Sequence, residues 1–416
     1  MTHFTSIRYY RIVDDLSWAI NTVHFPSLKE LRYPLIREGY GEHTTMNTSE
    51  NIEKEIILCF PMITAYLSQA CNLESFTFDA ERLIFAEDNE GSDNESSGTI
   101  RRMFSIFGMN LANCRKLKEL TLINKSRKDE RGRFYDYNPD PDEEDEGTLY
   151  STALLEAITP TIINRRDDLE RLTIEISGDP TNQPDEYDSD DSDDEEDDSD
   201  SQVAIDFFAA VLATKSLIKL SIDVDRLNVI NELLKVAGKQ YTNLKKLKTL
   251  DLTLALDENR DEVQPADIQS VTPLLKYFSD CHSLQSIHIK VPREAWGDVG
   301  SLSALRNLFI NIPDLSFNCD YYSDNDGKVL HLVKDLAVNN SCMKKLALFD
   351  LKDVRIAILK ELVPCFQNDL LLSICDSDFA GVGLPTDYTT GVYDPERART
   401  FWESPSADMG WLVYPK

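Results

Sequence analysis

The chain has 416 residues, of which 42% are hydrophobic and 28% charged, and its 73 Asp and Glu against 43 Lys and Arg give a net charge of −30. This length corresponds to two or three ordinary domains or to one long array of repeats. The excess of negative charge repels nucleic-acid phosphates and anionic lipid surfaces and favours basic protein partners. We therefore expect direct binding to neither nucleic acid nor a membrane.

The negative charge is concentrated in three tracts. Residues 87–96 hold five acids, residues 136–146 hold seven and residues 179–200 hold thirteen, and none of the tracts contains Lys or Arg. The rest of the chain, with 48 acids and 43 bases, is nearly balanced. Because like charges at this density repel one another, we expect the three tracts to be extended and disordered.

The sequence gives no sign of a membrane span or of export. It has no run of about 18 uncharged apolar residues, and residues 1–15 lack the basic start, apolar core and cleavage site of a secretory signal. We expect a cytoplasmic or nuclear protein whose eight cysteines are reduced.

A short pattern recurs along the chain: an apolar residue, two others, an apolar residue, one other and an apolar residue. Its alternating end predicts a short strand with one buried face. A further strand is predicted in residues 6–12, and a weaker copy of the pattern lies at Leu28 and Leu31. The clear copies are Leu73, Phe76, Phe78; Leu117, Leu120, Leu122; Leu169, Leu172, Ile174; Leu217, Leu220, Ile222; Leu247, Leu250, Leu252; Leu284, Ile287, Ile289; Leu305, Leu308, Ile310; and Met343, Leu346, Leu348.

Between the strand patterns the apolar residues recur with the period of a helix. Such stripes predict helices around residues 100–111, 227–237 and 329–336, and looser ones occur at 148–159, 203–213 and 268–278. Strand and helix are therefore expected to alternate. Cys71, Cys114 and Cys281 recur just before the first leucine of their copies, and we expect them to be small buried core residues.

These L-x-x-L-x-L strands and amphipathic helices resemble the leucine-rich-repeat proteins of the long, ribonuclease-inhibitor-like kind. The resemblance covers about residues 70–350. It implies an α/β solenoid of about nine to ten repeats over residues 1–375, with a curved parallel sheet inside and helices outside. Many intracellular repeat proteins of this kind are substrate-binding parts of ubiquitin ligases. No F-box-like module is visible in the N-terminal 30 residues, so an adaptor would come from another chain, and we expect a monomer or an adaptor-bound subunit.

Each acidic tract lies after a predicted strand and before a predicted helix. Because equivalent positions of stacked repeats line up, the three tracts are expected on one rim. Residues 376–416 lack the repeat and are rich in Gly, Pro and aromatic residues. They predict a C-terminal cap, with a peptide-like recognition tail as the alternative.

Residues between the leucines of each strand are expected on the concave face. An exposed aromatic beside amide and basic groups is typical of a binding hot spot. The candidate partner-binding patch is His288, Lys290, Phe309, Asn311, Lys345 and Phe349. In the alternative interpretation, the C-terminal segment covers Phe309 and Phe349.

Catalytic and cofactor motifs are missing from the sequence. It contains no phosphate-binding glycine loop before a helix, no Gly-x-Ser-x-Gly elbow and no His-Glu-x-x-His pair. Residues 323–327 resemble the middle of an EF-hand loop, but Tyr322 and Val333 would take its first and last ligand positions. We expect no enzyme activity, no cofactor and no metal site. Ser192, with Glu195 three residues later, resembles an acidophilic-kinase site; the alternative is an unmodified loop.

Two hypotheses follow. In the first, the chain is a non-enzymatic protein-interaction scaffold that binds a protein on its concave face, with substrate recognition as one use. In the second, the acidic rim binds and shields a basic protein of the histone or ribosomal type, which resembles the role of acidic leucine-rich nuclear proteins.

Overall fold

Strands and helices alternate through the part of the chain that the computed structural model describes. The described residues are 6–8, 28–34, 63–79, 95–124, 147–176, 198–224, 227–240, 243–254, 270–291, 299–318, 326–349, 370–375 and 412–414. The strands are β1 Ser6–Arg8, β2 Glu30–Pro34, β3 Ser75–Asp79, β4 Glu119–Asn124, β5 Arg171–Ile176, β6 Lys219–Val224, β7 Thr249–Leu254, β8 Ser286–Lys290, β9 Asp314–Asn318, β10 Lys345–Phe349, β11 Leu370–Cys375 and β12 Leu412–Tyr414. The helices are α1 Glu95–Ala112, α2 Gly147–Arg165, α3 Asp198–Leu212, α4 Leu227–Lys239, α5 Thr272–Ser279, α6 Val299–Phe309 and α7 Asp326–Asn339, and residues 63–69 are also helical.

All twelve described strands form one sheet, in which each strand lies beside its neighbours in sequence. Strands β1 to β11 run parallel, and β12 pairs antiparallel with β11. Parallel neighbours need a crossover connection, which the alternating helices supply. The predicted solenoid-like α/β fold is thus confirmed, whereas the division into nine to ten repeats stays a prediction.

The two faces of the sheet differ in burial. Alternate side chains of a strand point to opposite faces, and in every described central strand one set is apolar and buried, as with Leu172 and Ile174 in β5. Apolar residues of the helices belong to the same core. The helices therefore pack on one face, and the other set of side chains forms what we call the open face.

Backbone hydrogen bonds join neighbouring repeats just before each strand begins. The N–H groups of Glu74, Lys118 and Glu170 donate to the carbonyls of Lys29, Glu74 and Lys118, at N···O distances of 2.7–2.8 Å. The same bond links Ile218, Lys248 and Gln285 in turn to the preceding repeat. We call this side of the sheet the amino edge, and the side where the strands end the carboxyl edge.

One of the eight predicted strand copies is wrong. Leu305 and Leu308 lie in helix α6 rather than in a strand. Ser301, Ala304, Leu305 and Leu308 are buried at helical spacing, and a separation of three residues fits either structure. The true strand is β9, in which Leu315 and Phe317 are buried after Ile312, so the same apolar pattern occurs seven residues later.

The three acidic tracts fall between strands and helices, as predicted. They separate β3 from α1, β4 from α2 and β5 from α3, so all three connections leave the carboxyl edge from neighbouring strands. The tracts are not disordered throughout, because Glu95–Ser96 and residues 198–200 lie in the first turns of α1 and α3. Acidic residues are favourable at a helix N-terminus. The remaining residues of the tracts lie outside the described residues.

The predicted cap at 376–416 is described only at β12, which borders β11. None of the described helices is long and apolar enough to cross a membrane.

Candidate functional site: the open face of the sheet

The middle of the open face is a row of aligned side chains, one from each strand from β2 to β10. Four adjacent positions carry a hydroxyl group, between Arg32 at one end and Asp251 with His288 at the other. In strand order, the row is Arg32, Thr77, Thr121, Thr173, Ser221, Asp251, His288, Ser316 and Ala347. The three threonines, Asp251, His288 and Ser316 are partly exposed, so the row offers hydrogen-bonding groups to a ligand.

A polar cluster occupies this row at β7 to β9. The His288 Nδ1 and the Ser316 Oγ share a hydrogen bond of 2.9 Å, and Asp251 is aligned with His288 on the neighbouring strand. Some hydrolytic sites combine the same three kinds of group: an acid, an imidazole and a hydroxyl. Such a site also needs N–H donors for an oxyanion, but Ser316 lies inside the sheet, where β8 and β10 flank its backbone.

The structure brings together only part of the predicted patch. His288 and Lys290 are half-buried on the open face of β8, and Lys345 is exposed at the start of β10. The Lys345 Nζ lies 3.7 Å from the Asp314 carboxylate. Phe349 is the last residue of β10, but its side chain lies outside the described residues, as does Ser192.

The placement of Phe309 and Asn311 on a strand is wrong. Phe309 ends helix α6, is 0% exposed and stacks on Phe317 with ring centroids 5.5 Å apart. It is therefore a core residue and cannot serve as an exposed anchor. Asn311 is exposed, but it lies in the turn between α6 and β9.

Sequence reasoning missed the residues that β9 places on the open face. These are Asp314 and Ser316, both half-buried between β8 and β10. The sequence does contain the pattern that predicts β9, because Ile312, Leu315 and Phe317 have the spacing of the other strand copies, with a phenylalanine at the end. With Asp314 and Ser316 added and Phe309 removed, the described residues of the patch are polar or charged.

The cysteines expected in the core differ in exposure. Cys114 and Cys281 are buried, as predicted, but Cys71 is exposed, so its predicted burial is wrong. Burial raises the pKa of the Cys114 thiol to about 11, although the nearby Arg165 opposes the shift. Such a thiol is unreactive at neutral pH.

Among the described residues, no group of three or more His, Cys, Asp and Glu could hold a metal ion. No protein-family model matches the chain, and no curated protein matches it significantly.

Proposed function

We propose that this chain is a non-enzymatic, leucine-rich-repeat-type scaffold that binds a protein partner along the open face. The continuous row of side chains on that face carries the proposal. Nine strands at a separation of about 4.8 Å make the row roughly 40 Å long, which suits an extended protein surface. Parallel sheets are usually covered on both faces, so a long polar face that the described helices leave uncovered favours binding.

The proposal includes an intracellular site of action, cytoplasmic or nuclear, and a monomeric or adaptor-bound chain. A role as the substrate-recognition subunit of a ubiquitin ligase rests on the repeat resemblance. Neither a cofactor nor a metal is part of the proposed function.

Site-specific photo-cross-linking in cells tests which surface meets a partner. A photoreactive amino acid replaces Thr121 or Thr253 on the open face, or Ser105 or Glu156 on the exposed surface of α1 and α2. We expect discrete protein adducts from the two open-face positions that the two helix positions do not give. Adducts from the helix positions alone, or the same adducts from all four, would refute open-face binding.

A blocking variant then tests direct binding of the purified partner. One double variant, Thr121→Arg with Thr173→Arg, places two large side chains on the open face. The control, Ser105→Arg with Glu156→Arg, places two on the helix surface. We expect the first pair to weaken binding by roughly tenfold or more and the second to change it little. Equal effects would show that added charge, and not the open face, controls binding.

A second candidate function uses the acidic carboxyl edge to bind a basic protein. It is favoured by the three acidic connections leaving that edge from the consecutive strands β3, β4 and β5. Attraction of this kind is screened over about 10 Å at 0.1 M salt, so binding of a histone-type protein should fall steeply as salt rises.

A deletion tests this function, and the short connection that it leaves has the same length as another strand-to-helix connection of the chain. Only residues 225–226 separate β6 from α4, so removing residues 179–197 and keeping 177–178 leaves a connection of the same length between β5 and α3. Binding of a basic protein that resisted salt and survived this deletion would exclude the longest tract as the binding element.

A further inference from the structure

Ion pairs connect neighbouring repeats along the amino edge. The Lys29 Nζ lies 3.0 Å from the Glu74 carboxylate, and the Lys118 Nζ lies 3.4 Å from that of Glu170. Lys29 lowers the pKa of the Glu74 carboxyl by hydrogen bonding and by its charge. Lys29, Glu74, Lys118 and Glu170 occupy equivalent positions in successive repeats, so base and acid alternate.

The adjacent position shows the same pairing. At the first residue of each strand, the Arg171 Nε lies 3.3 Å from the Glu119 carboxylate, and Lys345 pairs with Asp314 in the same way. A base of one repeat thus pairs with an acid of an adjacent repeat between β2 and β3, between β4 and β5, and between β9 and β10.

The repeats of β6 and β7 depart from this pairing. Ile218 follows Glu170 in the first series, and Lys219 follows the base Arg171 in the second, so neither residue adds a group of opposite charge. The next repeat adds Lys245, Lys246 and Lys248, all exposed. No ion-pair partner is described for these four lysines, which we call the lysine cluster: Lys219, Lys245, Lys246 and Lys248.

The lysine cluster lies beside an exposed apolar residue. The backbone N–H of Lys248 donates to the Ile218 carbonyl at 2.8 Å, and Lys219 follows Ile218 directly. Ile218 is 37% exposed and is a large hydrophobic side chain at a position where the preceding repeats carry Lys or Glu. Lys219 and Lys248 thus flank this apolar residue on neighbouring strands about 5 Å apart, and Lys245 and Lys246 lie in the turn that leads to Lys248.

We propose that the lysine cluster and Ile218 form a binding site for an acidic polypeptide segment that carries an apolar residue among its carboxylates. The site lies at the amino edge and borders the open face of the proposed function, because Lys219 is in register with Asp314 and Lys345. The Thr121→Arg and Thr173→Arg pair that tests the open face leaves all four lysines in place, so the two proposals can fail separately. The surroundings favour a short acidic peptide over nucleic acid. The acidic tracts leave the opposite edge of the sheet, about 20 Å from the lysine cluster, which is the length of one strand. The acidic tracts would therefore repel a long polyanion that extended past the lysine cluster.

The site can be tested with fluorescent ten-residue probes. One is an Asp/Glu peptide with a central Leu, one replaces its acids with Asn and Gln, and one is a single-stranded oligothymidylate of equal charge. Anisotropy titrations use the full chain at low and moderate salt. We expect binding of the acidic peptide only, and weaker binding in the higher salt. Oligothymidylate binding as tight as that of the peptide would overturn the assignment to an acidic polypeptide.

Two variants of equal charge locate the binding. The first replaces the four lysines of the cluster with Gln; the second replaces Lys116, Lys276, Lys334 and Lys344, which are exposed and dispersed. We expect the first to lose at least tenfold in affinity and the second less than twofold. Because all eight side chains are exposed, both should fold, which circular dichroism checks. Equal losses would mean that net charge alone attracts the peptide.

Two further variants complete the test. Ile218→Ser removes the apolar contact without changing the charge, so the affinity for the acidic peptide should fall by a few fold. An unchanged affinity would show that Ile218 is not part of the site. The chain without residues 179–197 shows whether its own acidic tract competes. Tighter binding after that deletion supports an acid-binding cluster, whereas no peptide binding by either form refutes the proposal.

Discussion

Asn340 shows how a single buried side chain holds two repeats together. It is 0% exposed, and its Nδ2 donates to the carbonyls of Phe309 and Ile312 at 2.8 and 2.9 Å, while its Oδ1 accepts the N–H of Cys342 at 3.0 Å. Asn340→Ala would remove all three bonds, so the Ile312 carbonyl and the Cys342 N–H would lose this partner, while the Phe309 carbonyl would keep the N–H of Ile312. We expect a loss of about 3 kcal/mol in the free energy of unfolding, measured by urea denaturation.

The adjacent residue gives a matched control. Asn339 is exposed, and its amide donates only within its own helix, to Asp335. Asn339→Ala should therefore change the free energy of unfolding by no more than about 0.5 kcal/mol. Similar losses for both variants would contradict the role given to the Asn340 hydrogen bonds.

Burial also sets the reactivity of individual thiols. At pH 8 an exposed Cys71 should react readily with iodoacetamide, whereas Cys114, whose pKa is raised to about 11, should remain in the unreactive thiol form. Peptide mapping of the alkylated chain measures the two rates separately. In denaturing urea the rates should converge, and fast labelling of native Cys114 would show that this part of the core opens.

At the scale of elements, Gly108 sets how closely α1 approaches α2. A Cβ at this position would lie 2.0 Å from the Ala157 carbonyl oxygen, which is backbone and cannot move aside alone. Gly108→Ala should therefore force the two helices apart. We expect destabilisation of about 1–3 kcal/mol, seen as a lower melting temperature, despite the better helix propensity of Ala.

Gly238 in α4 is the control for this substitution. A Cβ there would meet the Pro273 side chain at 3.5 Å, an ordinary contact. Gly238→Ala should leave stability unchanged or raise it by up to about 1 kcal/mol. Destabilisation by both substitutions would mean that the effect does not come from the α1–α2 contact.

The elements that could be predicted are those whose burial follows a regular period. Strands β3 to β8 combine alternation with a leading leucine, and the helical stripes mark one buried side. Helix α6 was missed because Leu305 and Leu308 fit both patterns, and that error placed Phe309 on the wrong surface. Strand β12, with three residues, is too short to show a period.

Contacts between repeats depend on register, which the sequence does not reveal directly. Lys118 and Glu170 are 52 residues apart in the chain, yet they form an ion pair because β4 and β5 are aligned. The hydrogen bond between His288 and Ser316 likewise requires β9 to be placed correctly. For this reason the open face could be predicted as a surface, while its polar cluster and the lysine cluster could not.

For the whole molecule, the strand direction separates charge of opposite sign. The turns that lead into β4 and β7 are rich in Lys and Arg, whereas the three tracts with their 25 acids leave the opposite edge of the sheet. The net charge of −30 therefore describes neither edge. A partner would meet a basic amino edge, a nearly balanced open face or an acidic carboxyl edge, depending on its direction of approach.

The crowding of the acidic tracts predicts a salt-dependent stability. Their connections leave from three strands about 5 Å apart, so their mutual repulsion acts well within the Debye length of about 30 Å at 0.01 M salt and is weakened at 0.15 M, where that length is about 8 Å. We expect the melting temperature to rise as NaCl increases between these concentrations. Removing residues 179–197, which carry eleven of the 25 acids, should raise the low-salt melting temperature and flatten this dependence.

A second variant separates charge from chain length. It keeps residues 179–197 but replaces their acids with Asn and Gln, so the loop-closure entropy is unchanged while the repulsion is removed. Both variants should flatten the salt dependence to the same extent if repulsion is the cause. If the neutral loop behaves like the native chain and only the deletion raises the melting temperature, loop length would be the cause. The acidic edge would then impose no electrostatic cost on the fold.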